Sequence, residues 1–112
     1  MVQFEGYEFV DGGVCAAEGF TAAGVIAGIK AGNTTKRDLA MIFCAERCKA
    51  AALYTTNKVK GAPIYVTQKH LKDGYAQAVI VNSGNANTCN ENGIEIAEQM
   101  CELTAEALDI DA

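Results

Sequence analysis

Val79-Ile80-Val81-Asn82-Ser83-Gly84-Asn85-Ala86-Asn87 is the stretch on which the fold turns. An apolar run stops at a small, amide-rich loop, and an amphipathic helix pattern follows from about Asn92. Such a strand-to-helix junction is a place where α/β proteins gather hydrogen-bond donors and put chemistry. Working outward, Gln77-Ala78-Val79-Ile80-Val81 reads as a strand. The segment after the loop carries Ile94, Ala97, Cys101, Ala105 and Leu108 at helical spacing, joined by Met100, Leu103 and Ala107. Glu95, Glu98, Gln99, Glu102, Glu106 and Asp109 fall on the opposite stripe, which reads as a solvated face. Asn90 or Asn92 is placed to cap this helix.

Upstream, Gly12-Gly13 and Gly19 read as turns. Phe20 to Ile29 is small and apolar, and its glycines at 24 and 28 argue for a strand with a close neighbour over a helix. Residues 31–36 read as a turn. Leu39-Ala40-Met41-Ile42-Phe43-Cys44-Ala45 is apolar on both alternating faces, as in a central strand. Ala50-Ala51-Ala52-Leu53-Tyr54-Thr55 reads as a further strand ending at Thr56-Asn57. The segment from Ala62 to Leu71 reads as a helix with Pro63 in its first turn, although Ile64, Tyr65 and Val66 also suit a strand. Asp73-Gly74 reads as a turn. The expected fold class is α/β (α+β), a mixed sheet layered with helices, and residues 1–112 form a single partial domain.

At 112 residues the chain is one domain or part of one. Half of it is apolar, enough for a core. The net charge is −5, with nine Lys and Arg against fourteen Asp and Glu and no basic cluster, which argues against a nucleic-acid partner. No apolar run approaches the roughly 20 residues of a membrane span. Met1-Val2-Gln3-Phe4-Glu5 has no secretory pattern, so the cytoplasm is expected. Five cysteines, Cys15, Cys44, Cys48, Cys89 and Cys101, are then expected as free thiols, with Cys44 and Cys48 as small buried hydrophobes. Cys44 and Cys48 lack a second ligand pair, so no metal site is expected. His70 is the only histidine, lies between Lys69 and Lys72, and reads as a surface residue without a partner. There is no G-x-S-x-G, no H-E-x-x-H and no P-loop.

Four segments carry a family resemblance. Gly19-Phe20-Thr21-Ala22-Ala23-Gly24-Val25-Ile26-Ala27-Gly28-Ile29-Lys30 resembles the N-terminal signature of the ornithine acetyltransferases. These are the bifunctional glutamate N-acetyltransferase and amino-acid acetyltransferase enzymes of arginine biosynthesis. Asp38-Leu39-Ala40-Met41-Ile42 is similar to the next strand of that family. Tyr54-Thr55-Thr56-Asn57-Lys58-Val59-Lys60-Gly61-Ala62-Pro63 resembles its Phe-Thr-Thr-Asn segment and the Ala-Pro after it. Residues 79–87 resemble its Val-Val-Asn-Ser-Gly-Asn-Ala-Asn run. The four occur in the family's order and spacing, and the resemblance covers residues 13–110.

The resemblance implies acyl transfer through an N-terminal nucleophile, with no cofactor. A precursor cuts itself at an Ala-Thr bond. The freed threonine takes the acetyl group of N2-acetylornithine and passes it to glutamate through an acetyl-threonine intermediate. Whether acetyl-CoA also serves as donor stays open. The family's Ser-Thr-Gly oxyanion motif and its nucleophilic threonine fall beyond Ala112, so no catalytic residue is carried over. The chain is expected to be the N-terminal segment of the α chain, inactive alone. Its partners would be the rest of that chain and the β chain, in an oligomer. Asn82, Ser83, Gly84, Asn85 and Asn87 are candidates to support the acyl-transfer site, with Thr55, Thr56 and Asn57 as weaker ones. Turn chemistry explains both groups nearly as well. Two other readings stand: an N-terminal-nucleophile aminopeptidase of the same fold group, and a non-enzymatic structural or binding module.

Overall fold

A computed structural model describes residues 5–112. Residues 1–4, whose lack of a secretory pattern was noted above, lie outside the described residues. The elements run in the order β1 (Phe20–Val25), β2 (Leu39–Lys49), α1 (Ala62–His70), β3 (Tyr75–Asn82) and α2 (Gly93–Leu108). Short 3-10 turns lie at Gly13–Ala16 and Leu71–Asp73. The three strands form one sheet in the order β1-β2-β3, antiparallel throughout. The expected layered α/β (α+β) arrangement is present.

Cross-strand register sorts the sheet into two faces. One carries the rows Thr21–Phe43–Ala78, Ala23–Met41–Ile80 and Val25–Leu39–Asn82. The other carries Ala22–Ile42–Val79 and Gly24–Ala40–Val81. Neither face holds a charged residue in these rows. The central position of β2 follows from that two-sided apolarity, as the sequence indicated. A bulge interrupts β2 between Phe43 and Cys48. There Gln77 Nε2 donates to the Ala45 carbonyl at 3.2 Å. Beyond the bulge Arg47 stacks over the Tyr75 ring at 4.7 Å and pairs with Asp73.

Asp38 sets the geometry of the β1–β2 connection. Its carboxylate accepts from the backbone N–H of Ala27 (2.6 Å) and Ile29 (2.8 Å) and from Asn33 Nδ2 (3.0 Å). Its own N–H donates to the Val25 carbonyl and its carbonyl accepts from the Ser83 N–H at 2.9 Å. It is the one buried charged residue among those described. The Ala27 N–H, foremost among these donors, holds the carboxyl below its ordinary value of 3.8.

α1 starts with Pro63 in its first turn, where the missing N–H costs nothing. The helix assignment for this segment holds despite its β-branched residues. α1 and α2 are joined by Glu98, which sits 2.7 Å from Lys69 Nζ and 2.7 Å from His70 Nε2. His70 is therefore a partnered interhelical residue, not a lone surface one, and Glu98 leaves the solvated stripe. A helix-to-helix contact of this kind cannot be read from the spacing within either helix. Lys69 holds the Glu98 carboxyl below its ordinary range, with His70 adding to it.

Three other expectations are corrected. Residues 50–57 form no strand: the Ala50 N–H bonds the Gly74 carbonyl, after which the chain leaves the sheet and Leu53 is fully exposed. The first strand ends at Val25, because Ala27 and Ile29 turn their N–H groups to Asp38. Asn92 occupies the cap position of α2 in a left-handed conformation with no side-chain cap bond, and Asn90 Nδ2 donates instead to the Ala86 carbonyl. Of the cysteines, Cys44 is buried, Cys48 and Cys101 are half-buried, and Cys15 and Cys89 are exposed.

The core is thin for so apolar a chain. Among the described residues Cys44, Val66 and Ala105 are the only apolar ones with little exposure, and Val79, Val81, Ile94, Ile96 and Leu103 are all at least half exposed. The accessible surface is 8976 Å². A compact monomer of 11.8 kDa should expose about 5900 Å².

Two outcomes follow. Asp38→Asn should lower the urea midpoint at neutral pH, since one of its oxygens becomes a second donor facing N–H groups. The carboxylate's contribution is full above 3.8 and is lost as pH falls through its lower folded value. The gap between wild type and variant should therefore close in acid, and a gap that widens there would refute this role. Thiol titration should count five free thiols, with Cys15 and Cys89 reacting in the native protein and Cys44 only on unfolding.

Candidate functional site

The segment after β3 ties three parts of the fold together. Asn82 ends the strand. The Ser83 N–H reaches the Asp38 carbonyl, anchoring the loop to the β1–β2 connection. Gly84 has φ +90° and packs on Lys30, where a Cβ would lie 3.2 Å from the Lys30 Cβ and 3.3 Å from its backbone nitrogen. Both the left-handed conformation and the close approach require glycine. Three residues on, the Asn87 carbonyl accepts from the Ala62 N–H at 3.0 Å, so the loop closes on the start of α1. Gly61 permits this contact: a Cβ there would stand 2.6 Å from Asn87 Oδ1.

The asparagines thus divide. Asn87 is engaged with Gly61 and Ala62, and Thr88 Oγ1 lies 3.5 Å from its Oδ1. The side-chain amides of Asn82 and Asn85 have no hydrogen-bond partner among the described residues, and the whole loop is exposed. Each free amide offers two donors and an acceptor to whatever lies above the loop, without a charge. Thr55 Oγ1 accepts from the Asn57 N–H at 3.2 Å, a local turn. Thr55, Thr56 and Asn57 make no hydrogen bond to the 82–87 loop among the described residues. The two candidate groups are therefore not brought together by direct bonding.

Beside the loop, a cleft of about 330 Å³ opens between the starts of α1 and α2, with Lys60, Tyr65 and Asn87 on its wall. Lys60 Nζ lies 5.8 Å from the centre of the Tyr65 ring. No described Ser, Thr or Cys is hydrogen-bonded to His70, whose Nε2 is engaged by Glu98. No group of three or more potential metal-binding side chains occurs among the described residues. The Cys101 thiol is pushed up by burial and by the nearby Glu98 and Glu102 carboxylates, which makes it a poor nucleophile. What the arrangement offers is an exposed, uncharged loop of hydrogen-bonding groups anchored at Ser83, Gly84 and Asn87, with no catalytic set among the described residues.

Sequence reading missed two residues on which the loop depends. Asp38 enters the sequence reading only within the family-like segment Asp38-Leu39-Ala40-Met41-Ile42; a lone carboxylate leading a buried strand is itself a signal for a satisfied anion. Gly61, before Ala62-Pro63, was read as part of a motif and not as a close-approach point. Its significance exists only in relation to Asn87, 26 positions away.

Comparison with known proteins gives one consistent answer. The ArgJ family profile matches residues 21–112. The arginine biosynthesis bifunctional protein ArgJ of Symbiobacterium thermophilum is 47% identical over 104 residues, 92% of this chain and 26% of the relative. That of Caldanaerobacter subterraneus subsp. tengcongensis is 45% identical over 105 residues, covering 93% of this chain and 25% of the relative. The crystal structure of the Bacillus halodurans ArgJ protein superposes with a TM-score of 0.79 at 41% identity, covering 86% of this chain and 50% of that one. Ornithine acetyltransferase from Mycobacterium tuberculosis, solved with ornithine, gives 0.75 at 45% identity, covering 84% of this chain and 49% of that one. The chain spans about a quarter of the length of these curated relatives. A profile match over most of the chain, with relatives this similar in sequence and structure, places the protein in the ArgJ family.

Proposed function

We propose that this chain is the N-terminal part of an acetyltransferase of arginine biosynthesis that moves an acetyl group from N2-acetylornithine to glutamate. The observation that carries the reading is the match to the M. tuberculosis ornithine acetyltransferase, which extends over 84% of this chain. The reaction runs through an acetyl-threonine intermediate on a residue outside this chain. That threonine is activated by its own α-amine, whose ordinary pKa of about 7.7–8.0 suits a base at neutral pH. A cut precursor fits the lengths: the chain covers a quarter of the curated relatives but half of the solved chains, so the solved chains are about half as long.

Residues 1–112 then act as one partial domain whose partners are the remainder of the α chain and the β chain. The excess accessible surface and the half-exposed Val79 and Val81 support this. No helix among the described residues is long and apolar enough to cross a membrane. The working compartment in this proposal is the cytoplasm. Within the enzyme, Asn82, Ser83, Gly84, Asn85 and Asn87 support the acyl-transfer site from one side. Asp38, Lys30 and Gly61 hold that loop in place, and the free amides of Asn82 and Asn85 reach the neighbouring segment. Thr55, Thr56 and Asn57 shape the approach to α1.

The test is acetyl transfer from N2-acetylornithine to glutamate by the polypeptide that continues this reading frame, with residues 1–112 alone as control. The longer protein should turn over and the 112-residue chain should not; activity of the short chain would place the chemistry here and refute the proposal. In the active protein, Asn85→Ala should lower turnover about 10–100-fold, the usual loss for a group that orients a reacting one. Full activity in a folded, self-cleaved Asn85→Ala protein would leave the loop a turn only. Gly61→Ala should destabilise by about 1–3 kcal/mol, because its Cβ must displace the Asn87 amide, and this is measured as a lowered melting temperature.

A further inference from the structure

Cys44 and Cys48 stand at the two sides of the β2 bulge. In a regular strand four residue steps would set them about 13 Å apart. The bulge removes most of that distance. Phe43 pairs with Ala78 and Cys48 with Ala76, so the β2 chain from 43 to 48 runs beside only two steps of β3, about 7 Å. Cys44, still opposite Phe20 of β1, is one step closer to Cys48 than Phe43 is. The two cysteines are therefore about one step apart along the strand, close enough for the roughly 4.4–6.8 Å between Cα atoms that a disulfide needs.

The side chains converge as well. A hydrogen bond with Cys44, then burial and the Glu46 carboxylate, hold the Cys48 thiol above its ordinary value of 9.0. Cys48 Sγ also donates to the Glu46 carbonyl at 3.3 Å, which keeps it over the bulge. Cys44 is buried beneath Gly19, where a Cβ would lie 3.6 Å from its sulfur, and Cys48 is half-buried. One thiol is thus the inner and the other the outer member of a pair. We propose that Cys44 and Cys48 form a reversible dithiol–disulfide site that exchanges with a low-molecular-weight disulfide. The Cys48 thiolate attacks one sulfur of that disulfide, its S–S bond breaks, and one thiolate leaves. Cys44 then attacks the Cys48 sulfur and expels the second thiolate. The two protons of the cysteines end on the two released thiols, and two electrons pass to the small disulfide. Cys48, held mainly protonated, reacts slowly at neutral pH and faster as pH rises. A thiol that gains little as thiolate also leaves the disulfide stable once formed. In a reducing compartment all five thiols stay free, and the site closes only when a disulfide is supplied. Closure would fix Ala45, Glu46 and Arg47, and with them the Gln77 bond to the Ala45 carbonyl and the Arg47 contact on Tyr75.

The experiment equilibrates the full-length protein, native and in denaturing urea, with mixtures of reduced and oxidised glutathione. Free thiols are then alkylated and the protein is digested without reduction. Trypsin cuts after Arg47, so a Cys44–Cys48 disulfide holds the peptide ending at Arg47 to Cys48-Lys49. In the native protein this linked pair should form at an oxidised-to-reduced ratio at least about tenfold lower than in the unfolded one, because the bulge assembles the thiols. Equal ratios would mean that nearness in sequence alone joins them, and would overturn the proposal. Glutathione held on Cys48 with Cys44 still free, or either residue bonded to any other cysteine, would overturn it too. A folded Cys44→Ala protein should keep glutathione on Cys48, since nothing remains to displace it. An unmodified Cys48 in that variant would remove the outer thiol by which the exchange enters, and the proposal with it.

Discussion

The Asp38 carboxylate and the backbone it gathers hold the rest of the structure in register. A charge with so little exposure persists only if its lone pairs are filled. Here Ala27, Ile29 and Asn33 fill them, and that requirement bends the chain after Val25 into its connection. The same residue's backbone fixes β1 through Val25 and the end of β3 through Ser83. One residue, through its carboxylate and its backbone, thus couples the turn between β1 and β2 to the start of the amide loop. Lys30, placed by that turn, then forms the surface on which Gly84 packs.

The second layer is held differently. α1 and α2 share few deeply buried side chains, and their polar tie is Glu98 with Lys69 and His70. Lys69 is largely exposed, so solvent screening keeps that pair modest, and it orients the helices more than it stabilises them. The sheet below has two apolar faces, one of them uncovered along Val79 and Val81. An antiparallel sheet that faces water usually alternates apolar with polar residues. That alternation is absent here, so the sheet presents the apolar side chains of Val79 and Val81 to solvent.

The elements read correctly from sequence are those whose cause is local. Pro63 at a helix start, the helical spacing of Ala97, Cys101 and Ala105, and the run of Val79-Ile80-Val81 each carry their own signal. Residues 50–55 misled because alanines and Tyr54 tolerate an extended chain, yet a strand needs ladder bonds, and past the Ala50 N–H these residues make none among the described residues. The α2 cap misled for a related reason. Asn90 is the right residue type, but α2 begins at Gly93, which leaves Asn92 in the cap position with its backbone left-handed and no side-chain cap bond.

By itself, the sequence determined the family, the order of most elements and the special character of residues 82–87. Composition, periodicity and short motifs are properties of neighbouring residues, and they survive without knowledge of the fold. Tertiary structure alone decided that His70 meets Glu98, that Gly61 makes room for Asn87, and that Asn82 and Asn85 keep their amides free. Each of these joins residues far apart in the chain, and their meeting depends on strand pairing and helix direction, which no local pattern encodes.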